Sequence, residues 1–180
     1  MLTITVPANE VYDEQTGQFL LVKEQVLTLE HSLVSLSKWE SKWHKPYITD
    51  EVKTTEENVD YVRCMTLTQN VDPNVYYCLS AQNINEIHAY VNNPMTATVV
   101  PNNKKGKRNT EIVTSELIYC WMIELNIPIE FQKWHLNRLI TLIRLCSSKK
   151  EPPEKMSKRE IMSRNAAINA ANRKKYNSKG

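Results

Sequence analysis

Glycine is scarce in this chain, and its scarcity excludes two common phosphate-binding loops. Only three glycines occur among the 180 residues: Gly17, Gly106 and Gly180. A G-x-G-x-x-G dinucleotide loop and a P-loop each need several glycines in one turn, so that the backbone can approach the phosphates. We therefore expect no nucleotide held by either loop.

The usual motifs for metal binding and nucleophilic catalysis are also missing. No C-x-x-C pair occurs, no histidine stands four residues from another histidine or a cysteine, and no G-x-S-x-G motif is present. The candidate ligands are Cys64, Cys78, Cys120, Cys146, His31, His44, His88 and His135. We expect buried reduced thiols, histidines with structural roles, no metal, no cofactor and no catalysis.

Long apolar runs are absent as well. The run of about 18 apolar residues that indicates a membrane-spanning helix does not occur. The opening residues, MLTITVPANEVYDEQ, do not place a basic region before an apolar one, as a signal peptide does. We therefore expect a cytoplasmic protein that does not span a membrane.

The net charge of +3 is unevenly distributed along the chain. Residues 147–180 carry ten Lys or Arg and three Glu, a net charge of +7, so residues 1–146 carry 3 − 7 = −4. A basic end on a mildly acidic body indicates that the end contacts something acidic or stands apart from the fold. Pro152 and Pro153 mark the join, because consecutive prolines end a helix and stiffen a linker. We predict a globular domain of residues 1–148 and a basic linker and helix of residues 149–180.

The beginning of the chain has the periodicity of strands. Leu2, Ile4 and Val6 alternate with threonines, and a polar Asp-Glu-Gln-Thr-Gly turn precedes the β-rich residues 19–29. Residues 1–30 are therefore predicted to form a small antiparallel β-hairpin region, and residues 32–148 a helical bundle. The predicted fold class is α+β, mostly helical, with a basic helix at the C-terminal end.

Capping residues mark several predicted helix starts. A Ser, Thr or Asp that precedes an apolar-periodic run accepts hydrogen bonds from the first free N–H groups of a helix. The predicted starts are Ser32, Thr54 with Glu57, Asp72 with Pro73, and Ser80.

The second half of the body predicts one strand and two apolar helices. Residues 95–100 are rich in β-branched side chains and predict a strand, whereas residues 112–127 are apolar nearly all round and predict a helix at the centre of the core. Pro128 predicts the start of the next helix. Its buried face is predicted to hold Phe131, Leu136, Leu139, Ile140, Ile143 and Cys146, and its solvated face Lys133, Asn137, Thr141 and Arg144.

Three segments of the body combine residue types that bind ligands elsewhere. In WESKWHKPY, residues 39–47, two tryptophans with basic neighbours suit base stacking or peptide binding, although tryptophans at helical spacing are more often core anchors. The acidic residues Glu56, Glu57 and Asp60 suit a cation or, more simply, a solvated first helical turn. A basic loop suits phosphate contact or a solvated tip. Its cations are Lys104, Lys105, Lys107 and Arg108.

The C-terminal segment, MSKREIMSRNAAINAANRKKYNSKG, predicts a basic helix that begins with a Ser157–Glu160 capping box. Ile161 and Ile168 share one face with two asparagines, and the alanines favour helix without burying much area. Such a helix buries too little apolar surface to offset the cost of its own ordering. We therefore interpret it as an element that contacts another molecule.

That segment resembles the C-terminal tails of tail assembly chaperones of long-tailed, siphovirus-like bacteriophages. LEHSLVSLSKWESKWHKPY resembles an early helix of such phage proteins, and ELIYCWMIELNIPIEFQKWHLNRL resembles a further part of the same product. The resemblance implies a non-enzymatic protein of the host cell cytoplasm. Such chaperones bind the long helical tape measure protein, keep it soluble, and leave as tail-tube subunits polymerise around it.

The expected tape measure contacts lie in the C-terminal helix. They are Arg159, Ile161, Met162, Arg164, Ile168, Arg173 and Lys174. A homo-oligomer is a further expectation that the sequence leaves open. Two other functions also stay open: a phage-encoded protein that binds nucleic acid or blocks host defence, through the basic loop and the tail, and a structural component of the virion.

Overall fold

The computed structural model describes residues 1–13, 17–99, 112–150 and 158–177. Small antiparallel strand pairs come first and helices follow, which confirms the predicted α+β, mostly helical fold. Several predicted features lie outside the described residues: residues 14–16 of the predicted turn, the basic loop at residues 104–108, the last residue of the predicted strand at residues 95–100, the proline pair at residues 152–153, and Ser157 of the predicted capping box.

Four strands form two separate antiparallel pairs. β1 (Leu2–Val6) pairs with β4 (Gln25–Leu29), so that Ile4 lies opposite Leu27. β2 (Asn9–Asp13) pairs with β3 (Gln18–Val22), so that Tyr12 lies opposite Phe19. The β-rich residues 19–29 are therefore two strands, because the chain leaves the hairpin at the exposed Lys23 and Glu24 before it returns beside β1.

Helices account for most of the remaining described chain. The predicted caps at Ser32, Thr54 and Ser80 are confirmed, and each side-chain oxygen accepts a hydrogen bond from the backbone N–H three residues later. Asp72 caps a 3-10 helix that has Pro73 at its first position. The α-helices are α1 (Leu33–Trp43), α2 (Thr55–Met65), α3 (Ala81–Asn92), α4 (Ser115–Glu124), α5 (Leu136–Lys150) and α6 (Lys158–Tyr176); the 3-10 helices are Pro73–Cys78 and Ile129–Lys133.

The chain divides into two compact units, Met1–Cys146 and Ser147–Gly180. α5 runs through this division and also through the predicted boundary after residue 148 without interruption. The boundary of the predicted domains therefore stays a prediction.

α1 lies at the centre of the first unit, because its two faces pack into different apolar clusters. Trp39 packs with the strands, α2 and α3 in one cluster. Leu33 and Leu36 pack with α4 and α5 in the other cluster. Burial on both sides fixes α1 between the sheet-containing half and the helical half of this unit.

The prediction that the helix in residues 112–127 is central and buried all round is wrong. α4 buries a single stripe, consisting of Ser115, Ile118 and Met122. The opposite face is open to solvent, because Ile123 is 75% exposed and Cys120 is exposed. The expectation of four buried thiols is wrong for Cys120 and only partly correct for Cys64 and Cys146, which are half-buried; Cys78 is buried. The apolar residues of α4 exceed what its contact with α1 and α5 can cover.

The predicted strand at residues 95–100 and the single helix from Pro128 are also wrong. Residues 95–99 contain no strand, and Met95 adopts a left-handed backbone with φ of 50°. After Pro128 a 3-10 helix ends at Lys133, and α5 starts only at Leu136. The interruption has a tertiary cause, because the Leu136 N–H donates to the His31 carbonyl over 2.7 Å.

The faces of α5 follow the prediction in part. Leu136, Leu139 and Ile143 are buried. Asn137 was expected to be solvated, but its side-chain amide donates to the carbonyls of Val91 and Asn93, over 2.8 and 2.9 Å. It therefore ties the start of α5 to the end of α3.

Candidate functional site

α6 exposes every side chain that the structure describes along its length. Ile161 is 43% exposed, Ile168 46% and Met162 73%. A surface that covered these side chains would gain from the apolar area removed from water. The last turn carries Arg173, Lys174 and Lys175, which interact favourably with the partial negative charge at a helix C-terminus.

The seven predicted contact residues all lie on α6, but they do not share one face. Successive residues of an α-helix are about 100° apart, so Ile161 and Ile168 lie about 20° from each other. Arg164 lies about 60° to one side of Ile161. The remaining four point about 100° or more away from it. These are Arg159, Met162, Arg173 and Lys174.

A narrow seam runs along the isoleucine face of α6. Asn165 and Asn172 fall on the same face, so the four side chains Ile161, Asn165, Ile168 and Asn172 occupy about 60° of arc. Lys158 and Lys175 extend the same 3-4 spacing at the two ends. We call these six residues the α6 seam. The sequence identified its isoleucines and asparagines but not its terminal lysines.

The aromatic residues of the segment at residues 39–47 pack in the core, whereas its basic residues are exposed. Trp39 is buried, and its indole N–H donates to the Glu57 carbonyl over 2.9 Å. Trp43 donates to Asp60 over 2.9 Å, and Tyr47 stacks on Tyr61 with ring centroids 3.8 Å apart. Because these rings already pack on each other, the interpretation as core anchors is confirmed.

The acidic cluster of α2 is occupied by cations of the same chain. Lys42 Nζ lies 2.5 Å from Asp60 Oδ1, and Lys45 Nζ lies 2.8 Å from Glu57 Oε1. The hydrogen bond from Lys45 lowers the pKa of Glu57. Burial acts to raise the pKa of Asp60, but the hydrogen bonds from Lys42 and Trp43 outweigh it, so this pKa is lowered as well.

The expectation of a solvated first turn is therefore only partly correct. Glu56 is exposed, whereas Glu57 and Asp60 are buried and paired. Within the described ranges, no group of three or more His, Cys, Asp or Glu side chains is arranged to hold a metal ion.

Glu40 is a structural carboxylate that the sequence did not single out. It is buried, and its two oxygens accept hydrogen bonds from the Tyr47 N–H over 2.9 Å and the Ser115 N–H over 2.7 Å. Ser115 is the first residue of α4, so the negative charge also faces the positive end of that helix. The available signal was a glutamate between Trp39 and Trp43 on a helix with an apolar face.

His31 and His135 form a buried pair where β4, α1 and α5 meet. Their ring centroids lie 5.1 Å apart, and His31 Nδ1 lies 2.6 Å from the Tyr61 hydroxyl. Nε2 of His135 lies 3.1 Å from the Tyr90 carbonyl. Burial, and secondly the neighbouring His135, lower the pKa of His31 to about 4. Burial also lowers the pKa of His135.

The hairpin of β2 and β3 exposes an apolar face. Tyr12, Phe19 and Leu21 all point to the side opposite the buried Val22, and Phe19 and Leu21 are more than two-thirds exposed. The sequence predicted the strands but not which of their side chains stay in solvent.

Two open cavities lie elsewhere in the first unit. One, of about 280 Å³, is lined by Arg63, Thr66, Thr68, Val71, Pro73 and Tyr76. The other, of about 250 Å³, is next to His135 and Trp134, and its carboxylate, Glu30, already accepts a hydrogen bond from the Tyr90 hydroxyl over 2.7 Å. Among the helices that the structure describes, none is both long and apolar enough to cross a membrane.

Comparison with known proteins adds no relative. No protein-family model, curated protein or solved structure matches this chain.

Proposed function

We propose that this protein is a tail assembly chaperone of a long-tailed bacteriophage. It acts in the host cell cytoplasm without catalysis, binds the tape measure protein through α6, and keeps that protein soluble until tail-tube subunits cover it. The observation that carries the proposal is α6 itself, a basic helix whose described side chains are all exposed, including Ile161 and Ile168. The resemblance of the C-terminal segment to tail assembly chaperones supplies the identity of the partner.

The physical basis is the state of a tape measure protein before assembly. A long helical protein that the tube will later enclose exposes amphipathic helices while it waits. A second helix that offers apolar side chains and cations covers part of such a surface, as in helix-in-groove recognition. The cations add complementarity to acidic partner residues, which favours the correct partner and speeds its association.

Co-expression of the tape measure protein tests this function. Full-length chaperone should keep it in the soluble fraction, and a variant truncated after residue 150 should not. A variant in which residues 158–177 are replaced by a Gly/Ser segment of equal length controls for chain length and should fail as the truncation does. If all three give the same solubility, α6 has no such role.

The nucleic-acid alternative relies on the same cations and on the loop at residues 104–108. Binding to DNA or RNA releases counterions, so its affinity should fall steeply with salt and follow the Lys and Arg residues. Binding of a partner helix should depend instead on Ile161 and Ile168. A virion component, the third alternative, would be detected in purified mature particles, whereas a chaperone would be absent from them.

A further inference from the structure

We infer that the α6 seam binds one acidic amphipathic helix, lengthwise, and selects it by the alternation of isoleucine and asparagine. The inference rests on the proposed function and specifies the partner surface that α6 fits. The seam consists of Lys158, Ile161, Asn165, Ile168, Asn172 and Lys175.

The spacing of the seam indicates a helix as the partner. Intervals of three, four, three, four and three residues separate its members, which is the a/d pattern that places side chains along the contact line of two paired helices. From Lys158 to Lys175 the line is about 26 Å long at 1.5 Å per residue. A partner helix presents its own side chains at the same alternating intervals of three and four residues, so it can meet the seam along its whole length.

The charge of α6 disfavours a second copy of the same helix as the occupant, even though parallel self-pairing would match isoleucine with isoleucine and asparagine with asparagine. α6 contains six Lys or Arg and one Glu, a net charge of +5. Parallel self-pairing would place Lys158 against Lys158 and Lys175 against Lys175. Antiparallel self-pairing would place Lys158 against Lys175 and each isoleucine against an asparagine. Both arrangements bring like charges together, whereas an acidic helix gains from the same positions.

The asparagines restrict the partner further. Ile161 and Ile168 require apolar side chains seven residues apart on the partner. Asn165 and Asn172 require side chains that exchange hydrogen bonds, because a polar group left unpaired in a helix–helix contact costs stability. A single asparagine at an a position is known to fix register in coiled coils. Carboxylates on the partner opposite Lys158 and Lys175 would form an ion pair at each end of the seam.

The distribution of cations argues against nucleic acid as the occupant of the seam. No cation interrupts the seam between its terminal lysines, and Arg159, Arg173 and Lys174 point to the opposite half of α6. A helix that binds a phosphate backbone concentrates its cations along one stripe. The seam instead separates its cations by an uncharged line.

A designed peptide tests the seam in the full-length protein. The peptide is a labelled acidic helix that places leucines opposite the two isoleucines, asparagines opposite the asparagines and glutamates opposite the two lysines, made in both chain directions. A comparison peptide has the same composition with its leucines moved to the other face. By fluorescence anisotropy, we expect one of the matched peptides to bind at least tenfold more tightly than the comparison peptide.

Protein variants show whether the seam carries this binding. Ile161→Ala with Ile168→Ala should weaken the matched peptide at least tenfold, whereas Ile123→Ala, which removes an exposed isoleucine of α4, should change it less than twofold. Equal binding by the double variant and wild type would overturn the inference. So would a DNA or RNA duplex that displaces the matched peptide and binds the double variant as well as wild type.

The same variants separate this inference from the proposed function. If the double alanine variant keeps the tape measure protein soluble while truncation after residue 150 does not, the inference about the α6 seam is wrong but the proposed chaperone function stands. If neither change affects solubility, the chaperone function is wrong, whatever the peptide binds. Loss of solubility and of peptide binding in the double variant supports both.

Discussion

At the scale of single residues, buried carboxylates accept hydrogen bonds from distant parts of the chain and so hold those parts together. Glu40 links α1 to the turn at Tyr47 and to the first residue of α4, while Asp60 accepts from Lys42 on α1. A buried acceptor with several donors cannot be removed without leaving those donors unpaired, and that penalty is larger than the net value of each hydrogen bond. These side chains therefore define where α1, α2 and α4 meet.

Removing Glu40 should destabilise the protein strongly. Glu40→Ala leaves the buried N–H of Ser115 and the N–H of Tyr47 without their acceptor, at about 1–3 kcal/mol for each group. We expect a loss of about 2–6 kcal/mol in the free energy of unfolding, measured by urea denaturation. Glu56→Ala, which removes an exposed carboxylate, is the control and should change stability by less than about 0.5 kcal/mol. Equal effects would show that Glu40 is not a structural acceptor.

The buried histidine pair should make stability depend on pH. Because the pKa of His31 is lowered to about 4 from an unfolded value of 6.5, the unfolded chain binds more protons between these pH values. Stability from His31 is therefore complete above pH 6.5 and is lost as the pH falls towards 4. We expect a decrease of about 2 kcal/mol between pH 7 and pH 5 from this residue. His135, whose pKa is also lowered, adds to the decrease.

Urea denaturation at both pH values measures this effect. His31→Asn should remove about 2 kcal/mol of the difference between pH 7 and pH 5, even if it lowers stability at both. His88→Asn, at an exposed position of α3, should keep the wild-type difference. A His31→Asn variant with an unchanged pH difference would contradict the assignment.

At the scale of elements, α1 rather than α4 organises the helical half of the first unit. α4 has the more apolar sequence, but α1 has neighbours on both sides and α4 on one. Apolar content measures how much surface an element could bury, whereas the neighbours decide how much it does bury. The prediction that α4 is central was wrong for this reason: it was based on apolar content alone.

Two truncations to alanine compare these helices. Leu36 on α1 is fully buried, so Leu36→Ala should cost about 2–5 kcal/mol through lost burial and the cavity that remains. Ile123→Ala on α4 removes a mostly exposed side chain and should cost less than about 1 kcal/mol. Thermal or urea unfolding of the two variants measures the contrast. A larger loss of stability in Ile123→Ala than in Leu36→Ala would indicate that α4, rather than α1, is the central helix.

At the scale of the whole molecule, the apolar clusters and the excess of positive charge lie in different parts of the chain. Residues 1–146 carry a net charge of −4 and contain both apolar clusters, while residues 147–180 carry +7. The first unit therefore supplies the stability of the fold. The described side chains of the basic helix are all exposed.

Removal of the basic segment should leave the stability of the first unit unchanged. No described side chain of α6 is buried, so truncation after residue 150 should alter the free energy of unfolding by less than about 0.5 kcal/mol. Urea denaturation followed by tryptophan fluorescence measures it, since Trp39 lies in the core. A loss of more than 1 kcal/mol would indicate that α6 stabilises the fold.

The sequence by itself determined the local elements. Alternation identified β1, the Asp-Glu-Gln-Thr-Gly turn identified the hairpin, and capping residues identified the starts of α1, α2 and α3. These signals are local, because a cap or a turn depends on groups only a few residues apart. The exposure of the α6 isoleucines was also predictable from the segment itself, because two isoleucines among asparagines supply too little apolar surface to form a core.

Only the tertiary structure decided which elements are central and where they stop. The separation of β3 from β4, the late start of α5 beside His31, the burial of Glu40 and Asp60, and the hydrogen bonds of Asn137 depend on groups distant in sequence. A carboxylate or amide becomes buried only where the fold brings donors or acceptors to it. The periodicity of one segment carries no information about those partners. These contacts could therefore not be predicted from the sequence alone.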